Sequence, residues 1–545
     1  MALRNRGLAE LGLFAALAVL HTWPLASAPA SLTRLDNADT TLNTWIVSWD
    51  AHALATSPLH LFDAPIFHPS PHALAFSEHL IVPALLGAPL TWSGVPPVAV
   101  YNLLVLAGLT LSGWAMCRVV CRWTGSTAAG LVSGAAYAFN AHLLTRIPHL
   151  QALHVEFFPL ALAALDAVLA RAAASRRPPW AAAAWLALLF ALQGLCSNYT
   201  LVFTAAALVV GALVRPEAWS RATGAGRAAW LGLATAGVLG TGIVAPFLWP
   251  YYEVNQDQGL ARSIEEVALY SAHWQDYLVT AGTLHYDLWS HVFFEGRTAL
   301  FPGITVTALA VVALAGGLAW RDHRARMLAA VGLAGVALSF GPALPGYAWL
   351  HAHVPLLQGI RGAARWGWLG LVAMAGLAGF GTLVLERRWR ATPWWPAMAA
   401  GLIGLVTLEA LRAPMAYVPP PDISPVYATL AATPSAVVAE YPLFPAASIE
   451  RNARYLLPAT IHFRPLVNGY SGFVPDRYAR DAEVLRHFPS DAATYRLHTL
   501  GVTHVVLHVD AFLAERGEDA LRAVGWRADL ELIEERDGVR LYRLK

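Results

Sequence analysis

A chain of 545 residues that is 57% hydrophobic and 13% charged, with 21 Trp, is too apolar for a water-soluble globule, in which about a quarter of residues carry charge. A net charge of +2 gives no electrostatic footprint for nucleic acid, and three cysteines (Cys117, Cys121, Cys196) exclude a disulfide framework or an all-thiolate metal centre. No Walker-type glycine loop occurs, which argues against an ATP-driven pump.

In chain order, Arg4 and Arg6 precede an apolar run over 8–28, a pattern that keeps the N-terminus in the cytoplasm; the triplet Ala26-Ser27-Ala28 at its end also fits a cleavable signal peptide. Further apolar runs predict membrane spans near 97–118, 125–142, 152–171, 180–197, 200–214, 229–250, 299–320, 327–345, 366–385 and 394–412. The total is about eleven transmembrane helices. Between them lie Arg118 and Arg122; Arg171, Arg176 and Arg177; Arg215, Arg221 and Arg227; Arg321, Arg324 and Arg326; and Arg387, Arg388 and Arg390. All of these clusters fall on the cytoplasmic side if Arg4 does. Cys117 and Cys121, one helical turn apart, read as small packing residues.

The expected architecture is an α-helical polytopic protein of the cytoplasmic (inner) membrane, with a transmembrane domain over 1–412 and outer loops over 31–80, 251–299 and 346–365. Residues 413–545 are richer in charge and read as a soluble extracytoplasmic α/β domain. Its predicted strands are AVVAEYP at 436–442, THVVLHV at 503–509, and a hairpin in ELIEERDGVRLYRL turning at Asp537-Gly538; ARDAEVLRHF reads as an amphipathic helix.

The chemistry concentrates where the first run ends, in TRLDNADTTLNTWIVSWD. Asp36 and Asp39 at a membrane surface suit a general base, and Asp39 before Thr40-Thr41 equally suits a helix N-cap. Leu42, Trp45, Ile46 and Trp49 share one helical face, which predicts a helix lying flat in the headgroup layer with Asp50 on its flank. Asn198-Tyr199-Thr200 matches a glycosylation sequon on a short loop, and Asn468-Gly469-Tyr470-Ser471-Gly472 reads as a turn whose glycines allow unusual backbone angles and which could overhang a site.

Several segments together resemble the GT-C class of integral-membrane glycosyltransferases, in particular its poorly characterised bacterial members: LDNADTTLNTWIVSWDAHAL, LFDAPIFHPSPHALAFSEHL, RIPHLQALHVEFFPLAL, FFEGRTALFPGI, LQGIRGAARWGWL and RPLVNGYSGFVP. The resemblance implies a polyprenyl-phosphate-linked sugar donor (hexosyl or pentosyl), a glycan, lipid or protein acceptor hydroxyl on the outer side, and inversion at the anomeric carbon. By position it gives the base role to Asp39, with Asp36 second, although Asp36-Asn37-Ala38-Asp39 replaces the Asp-Glu pair of the protein mannosyltransferases. The leaving phosphate then needs cations on the outer face: Arg361 and Arg365, four apart in GIRGAARW, lead, with Arg262 and Arg297 behind them. Glu78, His79, Arg146, His149, Gln151, His154 and Glu156 are candidates for the sugar or acceptor pocket. A divalent cation is possible from the ligand types of Asp36, Asp39, Glu78 and a histidine, without supporting spacing. The rival readings are a lipid or polysaccharide transporter or flippase, and a non-catalytic membrane assembly protein.

Overall fold

The computed structural model describes residues 2–220, 226–259 and 261–545, with side chains from residue 6 onward. Arg221 and the side chain of Arg4 lie outside the described residues. A helix occupies each predicted apolar run, from Ala2–His21 at the start to Trp395–Ala410 at the end. Among the described residues, four helices are long and apolar enough to cross a membrane: Pro97–Thr124, Leu150–Ser175, Gly226–Gln258 and Ala363–Trp389. Trp180–Gly194, Asn198–Leu213, Ile304–Ala315 and Trp395–Ala410 are apolar but shorter.

By internal contacts the chain forms two compact units. One comprises Met1–Ala28, Leu103–Pro246 and Ala261–Ala416; the other comprises Pro29–Asn102, Phe247–Leu260 and Tyr417–Lys545. The first outer loop therefore groups with the C-terminal residues, where the sequence had placed it with the helices of 1–412.

The helical unit is organised around Gly367–Trp389, which packs against His323–Ser339, Ile304–Ala315 and Thr127–Ala138. Small residues let the backbones meet. A Cβ on Gly381 would overlap the backbone carbonyl of Leu309, and one on Gly335 would lie 2.7 Å from the carbonyl of Trp366. Cys117 and Cys121 act in the same way: their sulfur and backbone atoms fill the space that a side chain at Gly130 would need. The basic residues of the predicted cytoplasmic ends are partly structural. The buried carboxylate of Asp166 meets Arg215 at 2.6 Å, His323 at 3.0 Å and Arg324 at 2.9 Å, binding three separate chain segments together.

The second unit holds a four-stranded mixed sheet made of β1 (Val438–Tyr441), β2 (His504–His508), β3 (Leu530–Arg536) and β4 (Val539–Leu544), in the order β1-β2-β4-β3. β1 and β2 are parallel, and the other pairs are antiparallel. Asp537 and Gly538 turn the β3–β4 hairpin with φ of 51° and 72°, the left-handed geometry that favours Asp-Gly.

The helix Ala38–Thr56 of this unit differs from its sequence reading. It is enclosed rather than laid on a surface, since every residue from Thr40 to Ala51 is buried. It packs on Ile81–Trp92 and on the helical turns within 446–459. The apolar face was read correctly; the opposite face can also be buried because its hydroxyls bond the helix's own backbone, Thr44 to the Thr40 carbonyl (2.7 Å) and Ser48 to that of Thr44 (2.9 Å). Trp49 likewise has a partner for its indole N–H in the Leu61 carbonyl, at 2.8 Å. Asp50 is fully buried instead of flanking a surface helix, and that burial pushes its carboxyl well above the usual carboxylate range.

Candidate functional site

Asp39 stands in the first turn of Ala38–Thr56, but it is not the cap. Asn37 takes that role, its side-chain oxygen accepting the Asp39 backbone N–H at 2.9 Å. The Asp39 carboxylate is thereby spared the capping bond that competed with chemistry in the sequence. It is half-buried, near the positive end of a helix dipole that favours its ionised form. Its Oδ1 accepts a hydrogen bond from the hydroxyl of Tyr470, at 2.8 Å. Asp36 is exposed and paired with Arg34 at 3.2 Å, a solvent-screened arrangement that ties it to its own loop.

Tyr470 arrives in the segment singled out as Asn468–Gly472, although not for the reason the sequence suggested. Neither Gly469 nor Gly472 has a positive φ among the described residues. Gly469 is needed for space: a Cβ there would come within 2.6 Å of the Phe67 ring. Glu78 and His79 belong to the same unit and are buried, His79 lying edge-on to Phe62 and Tyr251 with ring centroids 6.5 and 6.0 Å away.

The helical unit holds the second half of the predicted residues, around a partly open cavity. Arg146, His149, Gln151, Tyr199, Arg365 and Trp368 are among its walls. Arg146 caps the end of the short helix Ala141–Thr145, His149 precedes the short helix Leu150–Leu153 that carries Gln151, and the Ala363–Trp366 turn supplies Arg365. The Arg365 guanidinium lies over the Tyr199 ring, 4.4 Å from its centroid. His142 shares the cavity and is buried. The guanidinium groups of Arg146 and Arg365 in its walls suit an anionic guest.

The other predicted cations divide. Arg361 precedes the Ala363–Trp366 turn, so the two arginines do not share a helical face as their spacing suggested, and Arg361 lies over Tyr270, 4.6 Å from the ring centroid. Arg262 pairs with Glu266 at 3.1 Å; burial and the nearby Arg361 charge lower its pKa. Arg297 reaches Asp276 at 3.4 Å, whose oxygens also accept the backbone N–H groups of His273 and Thr298, so it fastens a loop. Glu156 is buried and bonds His154 at 3.0 Å, while the other His154 nitrogen bonds the Leu104 carbonyl at 3.1 Å. This pair buttresses the chain beneath the cavity, whose walls do not include Glu156.

Asp36, Asp39, Glu78 and histidine do not converge on a metal position. Among the described residues, the cluster of three potential ligands is Glu10 with Cys117 and Cys121, and Glu10 is already engaged by Arg6 and Arg118.

No protein-family model matches this sequence, and no curated protein matches it. Among solved structures, the arabinofuranosyltransferase AftD from mycobacteria aligns over 99% of this chain and 41% of its own, with a TM-score of 0.55 and 16% identity. The fold is GT-C. Weaker GT-C alignments are those to the oligosaccharyltransferase of Archaeoglobus fulgidus (92% of this chain and 69% of that one, TM-score 0.43, 11% identity) and to ArnT from Cupriavidus metallidurans bound to undecaprenyl phosphate (92% and 96%, TM-score 0.45, 12% identity). This GT-C chain spans under half the length of AftD. The sequence reading named Tyr470 within a turn that could overhang a site but not its bond to Asp39, and it gave Tyr199 no role beyond the NYT sequon.

Proposed function

We propose that the chain is a membrane glycosyltransferase that moves a pentose or hexose from a polyprenyl-phosphate carrier to an acceptor hydroxyl on the outer side of the cytoplasmic membrane. In this reading the N-terminus is cytoplasmic and residues 413–545 are extracytoplasmic. Asp39 is the general base: it takes the acceptor O–H proton as that oxygen forms its bond to the anomeric carbon. The bond from that carbon to the phosphate oxygen breaks on the opposite face, configuration inverts, and polyprenyl phosphate departs. Within the helical unit, the cavity cations Arg365 and Arg146, with His149, suit a phosphate group. Asp36, Arg262 and Arg297 have lesser claims, because each is paired with a nearby charged partner, and Arg361 is not among the residues that line the cavity.

The observation that carries the proposal is the Asp39 carboxylate, relieved of capping by Asn37 and oriented by Tyr470 within a GT-C fold. The test is to incubate the purified protein with radiolabelled polyprenyl-phosphate pentoses and hexoses and a panel of glycan, lipid and peptide acceptors. Consumption of a donor with label in the acceptor is the expected result. Movement of lipid across a reconstituted bilayer without transfer would establish the transporter reading instead. Arg365→Ala should raise the donor KM roughly tenfold or more, the loss expected for a charge-assisted phosphate contact. An unchanged KM would remove Arg365 from the phosphate site.

A further inference from the structure

The contact between Tyr470 and Asp39 spans 431 residues of sequence, and the hydroxyl is delivered on a braced frame rather than a loop tip. Two residues before Tyr470, Asn468 clamps β1: its side chain accepts the Glu440 N–H at 2.8 Å and donates to the Glu440 carbonyl at 2.9 Å. Behind β1 the buried Glu440 carboxylate receives the Tyr427 hydroxyl at 2.8 Å and contacts the His508 imidazole at 2.7 Å, so the clamp stands on a second polar network. The first outer loop grips the same segment from the other side. Phe67 N–H donates to the Asn468 carbonyl (3.2 Å), His68 N–H to that of Leu466 (2.9 Å), and Phe473 N–H to that of Phe76 (3.0 Å). The absence of a side chain at Gly469 lets the Phe67 ring close the frame.

We propose that Tyr470 is a positioning residue for the base: it holds Asp39 ionised and fixes the plane of its carboxylate. The inference rests on the reading of Asp39 as the base. A phenol donating to one oxygen stabilises the carboxylate over the acid, and no proton leaves the tyrosine. Other groups in the surrounding field are Tyr101, which interacts electrostatically with both Asp39 and Arg34, and Arg34 itself. Neither tyrosine nor arginine ordinarily titrates below pH 8, so the acid limb of activity reports the carboxylate.

The experiment compares kcat and donor KM as a function of pH for wild type, Tyr470→Phe and Asp39→Asn, using whichever radiolabelled polyprenyl-phosphate sugar the wild-type protein consumes. Tyr470→Phe keeps the ring and loses the hydroxyl. It should reduce kcat roughly tenfold with donor KM nearly unchanged, and the acid limb should move to higher pH because the carboxylate loses its donor. A variant with an unmoved acid limb overturns the proposal, whether its activity is normal or is lowered together with its melting temperature. Full turnover by Asp39→Asn overturns the base assignment itself, which separates the two failures.

Discussion

Asp39→Asn should lower kcat by about a thousandfold, within the range that a general base contributes, and should leave the melting temperature unchanged. Asparagine matches aspartate in shape and keeps an oxygen for the Tyr470 hydroxyl, so the contact at 2.8 Å survives. The helix start also survives, because the cap belongs to Asn37. What disappears is the capacity to accept a proton, and the acceptor must then attack as a neutral alcohol with water as its base. Asp36→Asn is the matched control. That carboxylate is exposed and paired with Arg34, and its loss should change kcat by less than about twofold. Steady-state transfer rates of the two variants decide the matter; near-normal turnover by Asp39→Asn, or equal damage from both, defeats the assignment.

The second large effect is on stability. Gly381→Ala should destabilise the protein by about 3 kcal/mol, at the upper end of the cost of overpacking, because the new methyl would occupy the space of a backbone carbonyl, that of Leu309. A side chain can rotate away from such an overlap; a carbonyl moves only with its helix. Relief therefore requires Ile304–Ala315 to separate from Gly367–Trp389, the central helix of its unit. Gly401→Ala in Trp395–Ala410 meets nothing within 4 Å and should be neutral or slightly stabilising through helix propensity. Thermal unfolding in detergent distinguishes the pair, and equal melting temperatures for the two variants would refute the packing argument.

The parts legible in the sequence were those with short-range signatures. Apolar runs marked the helices, and alternation and an Asp-Gly turn marked β1, β2 and the β3–β4 hairpin. The enclosure of Ala38–Thr56 was not legible, because Thr44 and Ser48 look solvent-facing until their hydroxyls are seen bonded to their own helix. Spacing alone put Arg361 and Arg365 on one face; the chain between them is not one continuous helix, and each found its own tyrosine. The partner of Tyr470 was hidden for a different reason: nothing local in NGYSG records a contact with a residue more than four hundred positions earlier.

The composition of the second unit has a consequence for biogenesis. Its pieces, Pro29–Asn102, Phe247–Leu260 and Tyr417–Lys545, lie far apart along the chain, so its closure depends on residues synthesised long after its first piece. Until then Trp45 and Trp49 sit on a helix whose native cover has not been synthesised, and holdase chaperones have an apolar segment to bind. A nonsense mutation anywhere before β1 would therefore strand the oldest part of the unit as well as delete the youngest, and the truncated chain should be cleared by proteolysis instead of persisting as an inactive membrane protein.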